Sequence, residues 1–78
     1  MTTSKQQALR HLSRSCTTLQ IAGHDHGASH LLLQELERGL ASRVVEARNH
    51  GADEQEVDRA IMAGVNRAQA LRARAIAA

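Results

Sequence analysis

Apolar residues recur every three or four positions along most of this chain, which is the spacing of one face of an α-helix. The longest stretch of this kind covers residues 53–76. Asp53 is a suitable N-cap, and Glu56 follows three residues later, as in a capping box. The pattern predicts a helix over residues 53–76 (helix three), whose apolar face carries Val57, Ile61, Gly64, Ala68, Leu71 and Ala75.

The same spacing predicts a first helix over residues 5–22. Ser4 can cap its start, because Gln7 stands at the capping-box distance. Gly23 favours termination directly after it, since glycine adopts the conformation of helix C-termini most readily. The apolar positions of this helix are Leu9, Leu12, Cys16 and Leu19.

A second helix is predicted over residues 29–50, with Ser29 at its N-terminus and Gly51 ending it. Its apolar face carries Leu32, Leu33, Leu36, Leu40, Val44 and Ala47. Only residues 51–53 separate it from helix three, and so short a connection favours two antiparallel neighbouring helices.

The chain contains no proline, no alternating strand pattern and no internal repeat. We therefore predict one all-α domain over residues 1–78. It is a small three-helix domain dominated by a C-terminal antiparallel hairpin of helices two and three. Helix one either folds back onto this hairpin or reaches across to another subunit.

The composition indicates a weak core. Of 33 hydrophobic residues 14 are alanine, 16 are Leu, Ile or Val, and none is aromatic. A domain of this length buries only about 60% of its unfolded surface, and burial of alanine stabilises far less than burial of leucine. Either the domain is marginally stable alone or a second chain completes its core, and we favour the second interpretation.

Several apolar residues support that interpretation because they lie off the main faces of their helices, Leu31 and Val45 on helix two and Met62 on helix three. Small residues four positions apart on helix three also leave a shallow groove for another helix, which helix two could fill from within the chain. The predicted function is a non-enzymatic protein–protein interaction module, such as an adaptor, co-chaperone, inhibitor or assembly subunit. Its predicted partner interface comprises Leu31, Val45, Ala60, Met62, Gly64, Ala68 and Ile76.

An alternative function is DNA binding. Ala47, Gly51 and Val57 resemble the small residue, turn glycine and β-branched anchor of a helix-turn-helix, and a second register is centred on Gly64. Acidic residues around the first turn of helix three oppose this reading, because they would face phosphate. The arginines that would contact nucleic acid are Arg59, Arg67, Arg72 and Arg74.

A second alternative is metal binding in the connection between helices one and two. Imidazole and carboxylate groups grouped there have the ligand chemistry of zinc, nickel or copper sites. The candidate ligands are His24, Asp25, His26 and His30. Outside this alternative, no cofactor is predicted.

Other classes of function lack support in the sequence. No nucleophile elbow, phosphate-binding glycine loop or catalytic carboxylate pair is recognisable, so an enzyme is not expected. Cys16 is the only cysteine, which excludes an internal disulfide and favours a reducing compartment. No apolar run has the length of a membrane span or signal peptide, so we expect a cytoplasmic protein.

Overall fold

The computed structural model describes residues 4–24 and 27–77. Over these residues it contains three α-helices and no strand: α1 (Lys5–Gly23), α2 (His30–Asn49) and α3 (Glu54–Ala77). The predicted all-α class is confirmed, and every helix end lies within one residue of its predicted position.

Side chains cap the start of each helix. In α1 the Ser4 hydroxyl accepts from the Gln7 backbone N–H at 3.1 Å, and the Gln7 side chain accepts from the Ser4 N–H. Asp53 and Glu56 form the same reciprocal pair at α3, at 2.8 and 3.2 Å. Ser29 accepts from the N–H of the third residue after it at the start of α2. These bonds satisfy backbone donors that a helix leaves unpaired.

The turn between α2 and α3 is a Schellman motif, which explains why the chain turns where it does. Gly51 has a φ of 93°, a conformation that glycine adopts without steric cost. The N–H of Ala52 donates to the carbonyl of Ala47, and that of Gly51 donates to the carbonyl of Arg48, each at 3.0 Å. Ala47 and Ala52 are both buried, so the motif also joins the core.

The helices do not pair as predicted. α1 packs closely along both other helices, whereas α2 and α3 share few contacts. Lys5 pairs with Glu56 near the start of both helices, so α1 and α3 run parallel. His11 approaches Glu46 near the opposite end of α2, so α1 and α2 run antiparallel. The expected dominance of an α2–α3 hairpin is therefore wrong, and α1 is the central helix.

Close approach of α1 explains this arrangement. A Cβ atom built on Gly64 would lie 2.5 Å from the Ser13 carbonyl oxygen and 2.7 Å from Cys16 Cβ. The hydroxyl of Thr17 donates to the carbonyl of Gly64 at 3.0 Å, in a buried position. The small-residue groove of α3 is thus filled by α1, and the expectation that helix two fills it is wrong.

The core is composed mainly of small side chains. Leu12 is the only large side chain among the described residues that is fully buried. Leu19, Leu36, Leu40 and Ile61 are only half-buried. The buried hydrophobic residues are Ala8, Leu12, Cys16, Ala47, Ala52, Val57 and Ala68. Because four of these seven are alanine, the core contributes little hydrophobic stabilisation for the length of its helices.

Candidate functional surfaces

The predicted interface residues divide into an exposed and a buried group. Leu31, Val45, Met62 and Ile76 expose between 55 and 86% of their surface. Their predicted outward orientation is therefore confirmed, and their cover by another chain stays a prediction.

The remaining interface positions lie along the groove of α3. Gly64 and Ala68 are buried, and Ala60 is half-buried beside the core. Because α1 occupies this groove, a second helix cannot enter it without displacing α1. The assignment of Gly64 and Ala68 to a partner interface is thus corrected, since both belong to the packing of α1 on α3.

Sequence reasoning missed three further exposed aliphatic residues, Ile21, Leu32 and Leu71. Leu71 had been placed on the buried face of helix three. It is 36% exposed because α3 has only α1 as a close neighbour and α1 ends at Gly23. The last turns of α3 therefore have little to pack against. Helical spacing predicts the face of the helix on which such a residue lies. It does not predict how far the neighbouring helix extends.

Cys16 is a buried thiol with a structural role. Its Sγ donates to the carbonyl of Ile61 at 3.4 Å, which links α1 to α3. Burial raises the pKa of the Cys16 thiol, so the reactive thiolate is disfavoured. Together with the Thr17 bond to Gly64, this contact replaces apolar packing where the helices come closest.

An ion-pair cluster joins α1 and α2. The Glu46 carboxylate accepts from Arg43 at 2.9 Å, and its other oxygen lies 3.6 Å from His11 Nδ1. The hydrogen bond from Arg43 is the main cause that lowers the pKa of Glu46. A hydrogen bond from Lys5 likewise lowers the pKa of Glu56, the carboxylate that joins α1 to α3.

These lowered pKa values predict acid sensitivity of the fold. A carboxylate whose pKa is lower in the folded than in the unfolded chain stabilises the fold above the unfolded value of about 4.3. This stabilisation disappears as the pH falls through the folded value. We expect the melting temperature to fall between pH 6 and pH 3, and Glu46→Gln to reduce that fall. Glu37→Gln is the control, because Glu37 is exposed and has no ion-pair partner among the described residues. Equal pH profiles for wild type and Glu46→Gln would contradict this role.

The helix-turn-helix registers have different outcomes. The second register requires a break at Gly64, but α3 is continuous there, so that register is wrong. In the first register Ala47 and Val57 are buried and Gly51 forms the turn. The turn nevertheless leads into a helix whose first turn carries two glutamates, so the surface it presents is acidic.

The four arginines assigned to DNA contact do not form one set. Arg59, Arg67 and Arg74 are exposed on α3. Arg72 is half-buried, and its buried Nε has no hydrogen-bond partner within the described part of the chain. Arg67 lines a groove with two arginines of α1, Arg10 and Arg14. Sequence analysis did not group Arg10 and Arg14 with Arg67, because they belong to helices far apart in the sequence.

The candidate metal site is only partly within the described residues, because Asp25 and His26 lie outside them. His24 is exposed at the C-terminus of α1. His30 is exposed at the start of α2, and its ring lies 3.2 Å from the Gln34 side chain. Over residues 4–24 and 27–77 no three ligand-type side chains are grouped closely enough to hold a metal ion.

Among the described helices, none has both the length and the apolar character that crossing a bilayer requires. No protein-family model, curated protein or solved structure matches this chain.

Proposed function

We propose that this protein is a non-enzymatic protein–protein interaction module whose apolar surface is completed by a helical partner. The observation that supports this proposal is the large solvent-accessible surface area of the folded chain. A compact monomer of 8.5 kDa is expected to expose about 4,700 Å². This chain exposes 5663 Å². The excess of about 1,000 Å² is close to the 800 Å² or so that each partner contributes to a standard protein interface.

The dimensions of the chain agree with this comparison. Its radius of gyration is 13.3 Å, against about 11.5 Å for a compact chain of 78 residues. The shortest helix, α1, lies between the two longer ones, and several large aliphatic residues remain exposed on the bundle surface. Docking of another helix would bury these residues without rearranging α1.

The outward face of α2 is the best candidate for docking. Leu31, Gln34, Arg38, Ala41 and Val45 follow one another at alternating spacings of three and four, and all five are exposed. This is the spacing of a coiled-coil seam. Leu31 and Val45 are about 21 Å apart along the helix, so a partner helix lying along α2 contacts both. Arg38 lies between them and is paired with Glu35 at 3.3 Å.

The test is the double variant Leu31→Ser with Val45→Ser, measured by size-exclusion chromatography with light scattering at 10 and 200 μM. We expect wild type to exceed the monomer mass, alone or with a partner from its host. The variant should elute as a monomer and keep its helical circular dichroism, because apolar anchors dominate interface energy and both residues are exposed.

The matched control is Ile21→Ser with Leu71→Ser, which removes two exposed aliphatic residues from α1 and α3. It should associate as wild type does. A wild-type chain that is monomeric at 200 μM and isolated from its host without a partner would contradict the proposal. Equal loss of association in both double variants would place the interface elsewhere.

A further inference from the structure

The arginines of this protein lie in two different electrostatic environments. On α2, Arg38 and Arg43 are paired with glutamates at 3.3 and 2.9 Å. On α1 and α3, the exposed Arg10, Arg14 and Arg67 have no carboxylate within ion-pair distance among the described residues. Two of the three arginines of α2 are therefore paired, whereas these arginines of α1 and α3 are not.

The free arginines surround one groove between α1 and α3. Its lining residues are Arg10, Ser13, Arg14, Thr17 and Arg67, and its volume is about 290 Å³. Among the described residues, no carboxylate and no apolar side chain lines it. Three arginines, one serine and one threonine thus enclose a small polar space.

A neighbouring groove extends this basic surface towards the start of α3. Arg10 and Ser13 line both grooves, and Arg59 lines the second one. Glu56 also lines the second groove, but Lys5 holds its carboxylate at 2.9 Å. The two grooves therefore form one continuous surface, which we call the basic groove, with Arg10, Arg14, Arg59 and Arg67 along it.

We propose that the basic groove binds the sugar–phosphate backbone of a nucleic-acid duplex, without sequence selectivity. Guanidinium groups match phosphate geometry because each can donate two parallel hydrogen bonds. Arg59 and Arg67 are eight positions apart on α3, about 12 Å along the helix axis. Phosphates of one strand rise by about 3.4 Å each along the duplex axis, so the groove covers the rise of three to four of them, and its four arginines can pair with that number.

The composition of the groove favours a duplex over other polyanions. The chain has no aromatic residue, so it cannot stack on unpaired bases as single-strand binders do. Around Arg67 the groove offers no apolar pocket for the anchoring side chains that dominate protein interfaces, and apolar residues line only the end nearer Arg59 (Leu9, Ala60 and Ala63). This surface is also distinct from the helix-turn-helix turn at residues 50–53, because it lies between α1 and α3. It does not depend on the interface along α2.

The experiment measures fluorescence anisotropy of a labelled 20-base-pair duplex at several salt concentrations between 50 and 200 mM. For wild type, neutralising three to four phosphates predicts a slope of about −3 for log K against log salt concentration. The variant Arg10→Gln with Arg67→Gln should bind at least tenfold more weakly at 50 mM salt, with the slope reduced in magnitude by about 2. Both arginines are exposed, so circular dichroism should show an unchanged fold.

The matched control is Arg48→Gln with Arg74→Gln, which removes the same charge from exposed positions outside the basic groove. Its affinity should stay within about threefold of wild type, with the slope unchanged. Equal weakening in both double variants would overturn the proposal, because net charge alone would then explain binding. Absence of wild-type binding at 100 μM protein and 50 mM salt would also overturn it. Tighter binding of single-stranded DNA, or equal binding of polyglutamate, would assign the groove to a different ligand and refute the duplex.

Discussion

Gly64→Ala is expected to lower the melting temperature by about 10 °C. Alanine stabilises an exposed helix position by about 1 kcal/mol relative to glycine. At residue 64 the added methyl group would meet the Ser13 carbonyl oxygen at 2.5 Å, and a backbone atom cannot move aside cheaply. Overpacking of this kind costs about 3 kcal/mol, so the net loss is about 2 kcal/mol. Each kcal/mol corresponds to roughly 4–8 °C in a domain of this size.

Gly39→Ala is the matched control, because Gly39 also lies inside a helix. Nothing lies within 4 Å of a Cβ atom built there. This variant should gain about 1 kcal/mol and melt about 4–8 °C higher. Thermal unfolding monitored at 222 nm tests both variants together. An increase of stability in both would show that α1 and α3 do not approach closely at Gly64.

Leu12→Ala is expected to cost about 2–5 kcal/mol, because truncating a fully buried leucine removes its packing and leaves a cavity. The total stability of a chain of 78 residues is about 4–12 kcal/mol. This one substitution therefore removes a large part of it. Urea denaturation should show a lower midpoint with an unchanged slope, or no folded baseline in the most marginal case.

Alanine substitutions of two further leucines provide a comparison for that result. Leu40 is half-buried against the core, so Leu40→Ala should cost less than Leu12→Ala. Leu31 is 73% exposed, and Leu31→Ala should change the stability of the monomer by under about 0.5 kcal/mol. If the three substitutions cost the same, Leu12 is not the centre of the core.

The positions of the helices could be read from the amino-acid sequence because local chemistry determines them. Ser4, Ser29 and Asp53 each use a side-chain oxygen to cap a helix, and Gly51 supplies the conformation that ends α2. Each of these signals acts within a few residues. Their spacing therefore predicts helix ends without knowledge of the tertiary structure.

The pairing of the helices could not be read in the same way. Helical periodicity shows which face of α3 is buried, but it does not show what covers that face. Helix α2 was the expected neighbour because only residues 51–53 separate it from α3. The close approach is instead made by Ser13, Cys16 and Thr17 of α1, whose short side chains suit the surface at Gly64.

The candidate surfaces could likewise be predicted only where they lie on a single helix. The outward orientation of Leu31 and Val45 followed from their positions off the main stripe of one helix. The basic groove did not, because Arg10 and Arg67 come from helices far apart in the sequence. Their proximity depends on the parallel packing of α1 on α3, which no local signal predicts.

The central position of α1 has a consequence for folding kinetics. The contacts that hold α1 on α3 join residues far apart in sequence, such as Cys16 with Ile61 and Thr17 with Gly64, which are 45 and 47 positions apart. Helical domains usually fold fast because most of their contacts are local. Here α1 can pack on α2 early. It packs on α3 only after the long chain segment between α1 and α3 has formed a closed loop. This protein is therefore expected to fold more slowly than its helical content suggests.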